Sequence, residues 1–356
     1  MRHAVIMAGG AGTRMWPLSR KSRPKQLLRL FEGKSLLRQS FERLSALLPA
    51  DQIHVIAGGE YVPAMRQELP ELPPDNFIAE PCARDTTNAV GLAAHLLAVR
   101  DPEATMGVFT ADHIIKPADV FCATVSKGYD VAERYPDALV TFGVKPRVPH
   151  TGYGYIQRGA RLESGVYETE QFVEKPDPPT AERYAASSEY YWNSGMFVWR
   201  VATIIEQIRK HQPAIDAGLR EVAAGFGDPA KAEAVRERFE ALPKVSVDFA
   251  VMERADRVIT VEMACEWLDV GSWTSLAEII PPGADGHIKA AANVVALGGR
   301  RNIYVSESDH LIATIGLEDL VIVHSDDATI ICRRRDAQRI RELVDKVQAA
   351  CGERYM

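Results

Sequence analysis

Short apolar runs alternate with amphipathic stretches over roughly the first 145 residues. HAVIMA (3–8), QIHVIAG (52–58), NFIAEP (76–81), MGVFTAD (106–112) and ALVTFGV (138–144) have the length and composition of buried strands. Between them, Ser35–Leu48, Glu60–Leu69, Thr86–Arg100 and Val120–Tyr135 repeat apolar residues at helical spacing, with Asp85 or Thr86 available as a cap. Strands alternating with helices of this length predict βαβ units and a mostly parallel sheet. The rhythm changes after Pro146. TGYGYIQRG (151–159), GVYETEQFVEKP (165–176) and YYWNSGMFVWR (190–200) predict longer, partly exposed strands around a short helix at Thr180–Ser187. Helices return from Val201 to Leu242, and RVITVEMACEWLDVGSW (257–273) predicts a strand, a turn and a new helix. Pro281-Pro282-Gly283 reads as a linker. Five apolar runs then follow at short, even spacing from Asn293 to Arg334, before a closing helix at Asp336–Gln348. That spacing suits a small β-rich module, such as a coil of a left-handed β-helix. The expected architecture is an α/β, Rossmann-like domain over 1–282 and a β-rich module over 288–356.

Composition narrows the function classes. Hydrophobic residues make up 46% of the 356, enough to fill a core. A net charge of −6 argues against a general nucleic-acid or membrane-surface binder, so any basic site must be local. The five cysteines are scattered without a CxxC pair, which suggests neither a zinc site nor a disulfide framework. Without a signal peptide or a long apolar run, the expectation is a cytoplasmic protein.

The local basic site follows the first strand. Gly9, Gly10 and Gly12 would let a ligand approach the backbone, and successive N–H groups would form an anion nest. Five cations, Arg14, Arg20, Lys21, Arg23 and Lys25, crowd into twelve residues. A dinucleotide fingerprint would need a third glycine feeding a helix, and a Walker loop would need Gly-Lys-Ser/Thr; both are missing. The sense that remains is a triphosphate held by N–H groups and by Arg14 and Lys25. Two carboxylates, Asp112 and Asp269, are expected at strand ends, where an α/β sheet places ligand groups. Two protein oxygens, completed by phosphate and water, would suit Mg²⁺. His113 has no second histidine at a useful spacing and is expected to support its neighbours instead.

MAGGAGTRMWPLSRKSRPKQLL (7–28) resembles the signature of nucleotidyltransferases that make nucleotide sugars. Its Met-Trp-Pro-Leu-Ser-Arg variant is similar to that of mannose-1-phosphate guanylyltransferases. FVEKP (172–176), WNSGMF (192–197) and EWLDVGSW (266–273) match the family in order, and the resemblance covers nearly the whole chain. It implies transfer of GMP from GTP to α-D-mannose 1-phosphate, giving GDP-mannose and pyrophosphate. The same chemistry with UTP or dTTP and glucose 1-phosphate, or with GTP and a heptose 1-phosphate, is the nearest alternative. The family also has longer members with a fused isomerase domain, and this chain is expected to carry the transferase alone. By resemblance, Ala8, Gly9, Gly10, Gly12, Thr13, Arg14 and Lys25 hold the nucleotide, and Asp112 and Asp269 the metal. Lys175 meets the sugar phosphate, while Gly152, Glu174 and Asn193 meet the hexose. Arg14, Lys25, Asp112 and Lys175 are the expected catalytic residues. EPCARDTTNA (80–89) resembles the guanylyl members, and an acidic acceptor would suit the N1–H and N2–H₂ donors of guanine. Glu80 and Asp85 are the candidates there, although Asp85 could serve only as a helix cap. The tail of such proteins supports association, which makes a homodimer the expectation.

Overall fold

Nine strands form one mixed sheet in the order β3-β2-β1-β4-β9-β6-β10-β8-β7. They are β1 Arg2–Met7, β2 Ile53–Gly58, β3 Phe77–Glu80, β4 Thr105–Thr110, β6 Leu139–Val144, β7 Tyr155–Glu163, β8 Val166–Val173, β9 Tyr190–Arg200 and β10 Val258–Glu262. The structure is a computed structural model that describes residues 1–10, 12–31, 33–291 and 293–356; Ala11 of the glycine string lies outside them. β9 and β8 run against the other seven strands. β9 is also not partly exposed: it lies between β4 and β6 in the centre of the sheet, with Trp192, Phe197 and Trp199 buried.

Burial on both faces explains the continuous apolar strands. In β1, Ala4 and Ile6 face one core and Val5 the other. The first core is covered by α1 (Leu36–Ser45), α2 (Val62–Glu68) and α4 (Ala118–Arg134), through Phe41, Met65 and Phe121 among others. The second is covered by α3 (Asp85–Arg100), α6 (Val201–His211), α7 (Pro213–Gly225) and α8 (Ala232–Glu240). α5 (Pro178–Ala186) adds Ala181 and Tyr184 to the first. Ser35 caps α1 by accepting from the Arg38 amide at 3.0 Å, and Asp177 caps α5 by accepting from the Thr180 amide at 2.9 Å.

Two strands were not legible as such. β5 (His113–Lys116) and β11 (Glu266–Asp269) form a separate antiparallel ribbon, and β11 leads into a 3₁₀ turn, Trp273–Glu278, rather than a full helix. The tail forms a parallel coil. β12 (Ile288–Ala290), β14 (Ile303–Ser306) and β16 (Leu320–His324) stack in register, as do β13 (Val294–Leu297) and β15 (Ile312–Ile315). β17 (Thr329–Arg333) closes the larger sheet antiparallel to β16, and α9 (Ile340–Cys351) comes after a 3₁₀ turn. A third core binds this tail to the loop after β1: Met15, Trp16, Leu18 and Leu28 pack with Trp273, Ile303, Val321, Ile340 and Val344.

Candidate active site

Ala8 is buried, Gly10 and Gly12 have φ of 93° and 62°, and no α-helix begins; Thr13–Met15 makes a single 3₁₀ turn. Gln26 Nε2 donates to the Gly9 carbonyl at 2.6 Å, and Ser19 Oγ donates to the Gly12 carbonyl at 2.7 Å. A Cβ on Gly12 would stand 2.4 Å from Lys25 Cβ, so the glycine is what lets the loop fold onto the lysine stem.

The cations of this stretch divide into two groups. Arg20 donates to Asp327 at 2.6 Å and to the Tyr355 carbonyl, Lys21 pairs with Glu353 at 2.5 Å, and Arg23 pairs with Glu307. These three tie the loop to the β-coil and the chain's last turn. Trp16 belongs to the same anchor: its indole donates to the Tyr355 carbonyl at 2.8 Å, and its own carbonyl accepts from Trp273 Nε1 at 3.1 Å. Arg14 is exposed; it donates to Gln338 at 3.2 Å and lies beside Gly271. Lys25 turns inward and is buried.

Asp112 does not end a strand. It occupies the two-residue turn between β4 and β5, and the β5–β11 ribbon pairs His113 with Asp269. The ribbon therefore brings the two carboxylates together from positions 157 residues apart in sequence. Oxygen and nitrogen donors of Asp112, His113 and Asp269 lie within 4.8 Å of one another. The Lys25 ammonium sits 2.7 Å from Asp112 Oδ2 and 3.5 Å from Asp269 Oδ1. Burial raises the Asp112 pKa, but Lys25 and His113 outweigh it and leave the carboxyl below its ordinary value. Two carboxylates already gathered around a cation fit a divalent ion on this donor set. His113 accepts at Nδ1 from Trp267 Nε1 (3.1 Å), and burial lowers its pKa against the opposing charges of Asp112 and Asp269. Arg43 fixes the same turn from below by donating to the His113 carbonyl at 3.1 Å.

A second cluster gathers at the end of β8. Glu174 is buried by side chain and bonds Lys175 Nζ at 2.6 Å; Lys175 itself is mostly exposed and has φ of 47°. Burial lowers the Lys175 pKa, yet the Glu174 hydrogen bond, with the charges of Glu174, Asp248 and Asp85, raises it overall. Asn193 is satisfied within the protein. Its Nδ2 donates to Asp248 at 2.9 Å, and its Oδ1 accepts from the Gly195 amide at 3.1 Å and Thr141 Oγ1 at 3.3 Å. It need not await a ligand hydroxyl for its hydrogen bonds, although its carbonyl oxygen and Asp248 form a polar wall. The Gly152 amide donates to His150 Nδ1 at 3.1 Å within its own turn. The glycine against the cluster is Gly154, where a Cβ would stand 2.4 Å from Glu174 Oε2 and 3.3 Å from Asn193 Cβ. Asp248 was missed in the sequence. It opens a π-turn, Asp248–Met252, and its pKa is pushed up to about 7 by burial and then by the charge of Glu174. VDFAVM (247–252), a lone acid among apolar residues, was the available signal.

Glu80 and Asp85 separate. Glu80 ends β3, buried, with Oε2 3.6 Å from where a Gly9 Cβ would be. Asp85 has φ of 68° and accepts from the Thr86 amide at 2.8 Å, while Thr86 Oγ1 accepts from the Val247 amide at 2.9 Å. The Asp85 carboxylate bonds the amide of its neighbour Thr86, and its charge raises the Lys175 pKa. Burial and then Glu60 push the Glu80 pKa from 4.5 up to about 7. A carboxyl raised in this way holds its proton more tightly when folded, so its contribution to stability falls as pH rises from about 4.5 to about 7 and is constant above. Glu80→Gln is therefore expected to gain on the wild type by on the order of 1–3 kcal/mol between pH 4.5 and pH 8. Denaturant titrations at the two pH values measure this; an unchanged difference would contradict it.

A cavity of about 1150 Å³ lies elsewhere, between the loop, α2 and the β-coil. Arg20, Arg23 and Arg29 line it with their carboxylate partners Asp327, Glu307 and Glu68.

The nucleotidyl transferase family profile matches residues 3–286, and a "MannoseP isomerase/GMP-like beta-helix domain" profile matches 292–347. The chain is 39% identical to a mannose-1-phosphate guanylyltransferase of Klebsiella pneumoniae, over 96% of this chain and 73% of that protein. It is 38% identical to the enzyme of the same name in Escherichia coli K12, over 98% and 73%. Among solved structures, one described as a mannose-1-phosphate geranyltransferase from Thermus thermophilus superposes with a TM-score of 0.88 at 32% identity, over 98% of this chain and 99% of that one. With the glycine loop, the paired carboxylates and the Glu174–Lys175 cluster assembled in one fold, the chain belongs to the nucleotidyl transferase family.

Proposed function

We propose that this protein transfers GMP from GTP to α-D-mannose 1-phosphate, forming GDP-mannose and pyrophosphate. The observation that carries this reading is similarity to mannose-1-phosphate guanylyltransferases over 96–98% of this chain, in a fold where Lys25 of the first motif meets Asp112 and Asp269. A sugar phosphate oxygen is already anionic at neutral pH, so in-line attack on the α-phosphorus needs no strong general base. Catalysis is then positioning and charge neutralisation.

In this reading Ala8, Gly9, Gly10, Gly12 and Thr13 cradle the triphosphate with their N–H groups, and Arg14 meets the leaving pyrophosphate. Mg²⁺ held by Asp112 and Asp269 would supply charge neutralisation on phosphate oxygens. Lys175 brings the sugar phosphate against the repulsion of the nucleotide. Glu174, Asn193 and Asp248 hold the hexose hydroxyls, with Gly154 in place of Gly152 as the glycine that makes room for Glu174. Glu80, beside Gly9, is the better base reader of the two acids proposed, because Asp85 lies near Lys175 instead. A panel of GTP, UTP and dTTP against mannose, glucose and heptose 1-phosphates, followed by pyrophosphate release, tests the assignment. GTP with mannose 1-phosphate should give the highest kcat/KM; a higher value for any other pair would overturn it.

The working unit proposed is a cytoplasmic homodimer, and no described helix is long and apolar enough to cross a membrane. Support for the dimer comes from the outer face of β13 and β15, where Val295, Leu297 and Ile315 are 60%, 68% and 75% exposed. Leu297 stands directly beside Ile315 in the parallel register. An apolar row of this kind marks an interaction face. Leu297→Glu with Ile315→Glu is expected to convert a dimer to a monomer by light scattering; an unchanged mass would rule this face out.

A further inference from the structure

The Lys25 ammonium lies where a metal ion would be expected, between Asp112 and Asp269. Its side chain is only 8% exposed, so it is not an incidental surface pair. The main chain beneath it is fixed, because the lysine stem packs on Gly12 with no room for a side chain there. The three methylenes beyond Cβ retain their rotatable bonds, and the ammonium is a point charge without a required orientation. Two cations cannot share the same pair of carboxylate oxygens without strong repulsion.

Resting on the reading that Asp112 and Asp269 hold the divalent ion, we infer that Lys25 is the resident counter-ion of this pair. It keeps the two carboxylates together in the metal-free protein and leaves them when the ion arrives. The lysine then has one productive place to go, towards the anion nest of Gly9, Gly10 and Gly12, which its own stem adjoins. Metal binding therefore delivers a second cation to the triphosphate. Metal and nucleotide should bind with positive coupling, and by linkage each should tighten the other by the same factor.

Mn²⁺ alone serves as the probe, its free concentration read by electron paramagnetic resonance on the full chain without substrates. Lys25→Met is expected to bind Mn²⁺ about tenfold more tightly than the wild type, a typical size for a coupling between sites. Arg14→Gln, which removes a nearby charge that does not occupy the pair, should change the affinity much less. Asp112→Asn should abolish the site. The wild-type protein gives an independent reading: acylation of Lys25, followed by mass spectrometry, should rise several-fold on adding Mg²⁺ and should not do so in Asp112→Asn. If Asp112→Asn abolishes binding while Lys25→Met binds no more tightly than wild type, the lysine inference falls and the metal reading stands. If Asp112→Asn binds Mn²⁺ as well as wild type, the metal reading itself falls. Should Lys25→Met fail to fold, the acylation result decides: no rise with Mg²⁺ overturns the inference.

Discussion

Asp112→Asn is expected to lower kcat for pyrophosphate release by about 10³-fold or more at saturating Mg²⁺ and both substrates. The turn that carries this residue is the reason. Asp112 has no strand backbone to hold it; the β5–β11 ribbon and the Val270 amide, which donates to the Asp112 carbonyl at 3.2 Å, fix its place. Its carboxylate therefore faces Asp269 and Lys25 in a preset geometry, and an amide of the same shape removes charge without disturbing the turn. The buried lysine retains Asp269 at 3.5 Å, so the variant should fold with a circular dichroism spectrum like that of wild type. Retention of most metal-dependent turnover would take Asp112 out of the metal site.

Lys175→Ala is expected to raise KM for mannose 1-phosphate by about 10²-fold while changing KM for GTP by less than about threefold. Glu174 holds the lysine at 2.6 Å on a backbone turned to positive φ, so its ammonium is held at the end of β8, and its mostly exposed tip is open to an incoming anion. The acids that surround it, Glu174, Asp248 and Asp85, keep it charged and would repel a phosphate unless the lysine stood in front of them. Steady-state kinetics with each substrate varied in turn measures the split. An equal rise for both substrates would mean that Lys175 shapes the site as a whole instead of meeting the sugar phosphate.

The strand–helix alternation of the first half was legible because buried strands and amphipathic helices leave different periods in the sequence. β5 and β11 were not, because HIIK and EWLD are four residues each and look like the tails of their neighbours. That omission mattered, since the ribbon they form is what unites Asp112 with Asp269. The central place of β9 was hidden for the opposite reason. Its continuous apolar run has no alternation that would tell the middle of a sheet from its edge. The five basic residues of the loop look alike in sequence and divide only in the fold. Arg20, Lys21 and Arg23 face carboxylates of the tail that lie about 280 to 330 residues away, and no local pattern encodes such a partner. Trp16 is likewise an anchor to Tyr355. At the end of β8, Glu174, Lys175 and Asn193 were legible in the sequence, but not Asp248. A single acid in a helical run looks solvated until its neighbours, Asn193 and Glu174, are known.

GMP transfer places the guanosine-bearing α-phosphate of GTP on the sugar phosphate and releases the other two phosphates as pyrophosphate. Parallel incubations with mannose 1-phosphate and GTP labelled at either the α- or the γ-phosphate test it most directly. The α-label is expected in GDP-mannose and the γ-label in pyrophosphate, in equal amounts and dependent on the divalent ion. Label from the γ-position in a sugar product, or release of inorganic phosphate in place of pyrophosphate, would contradict it.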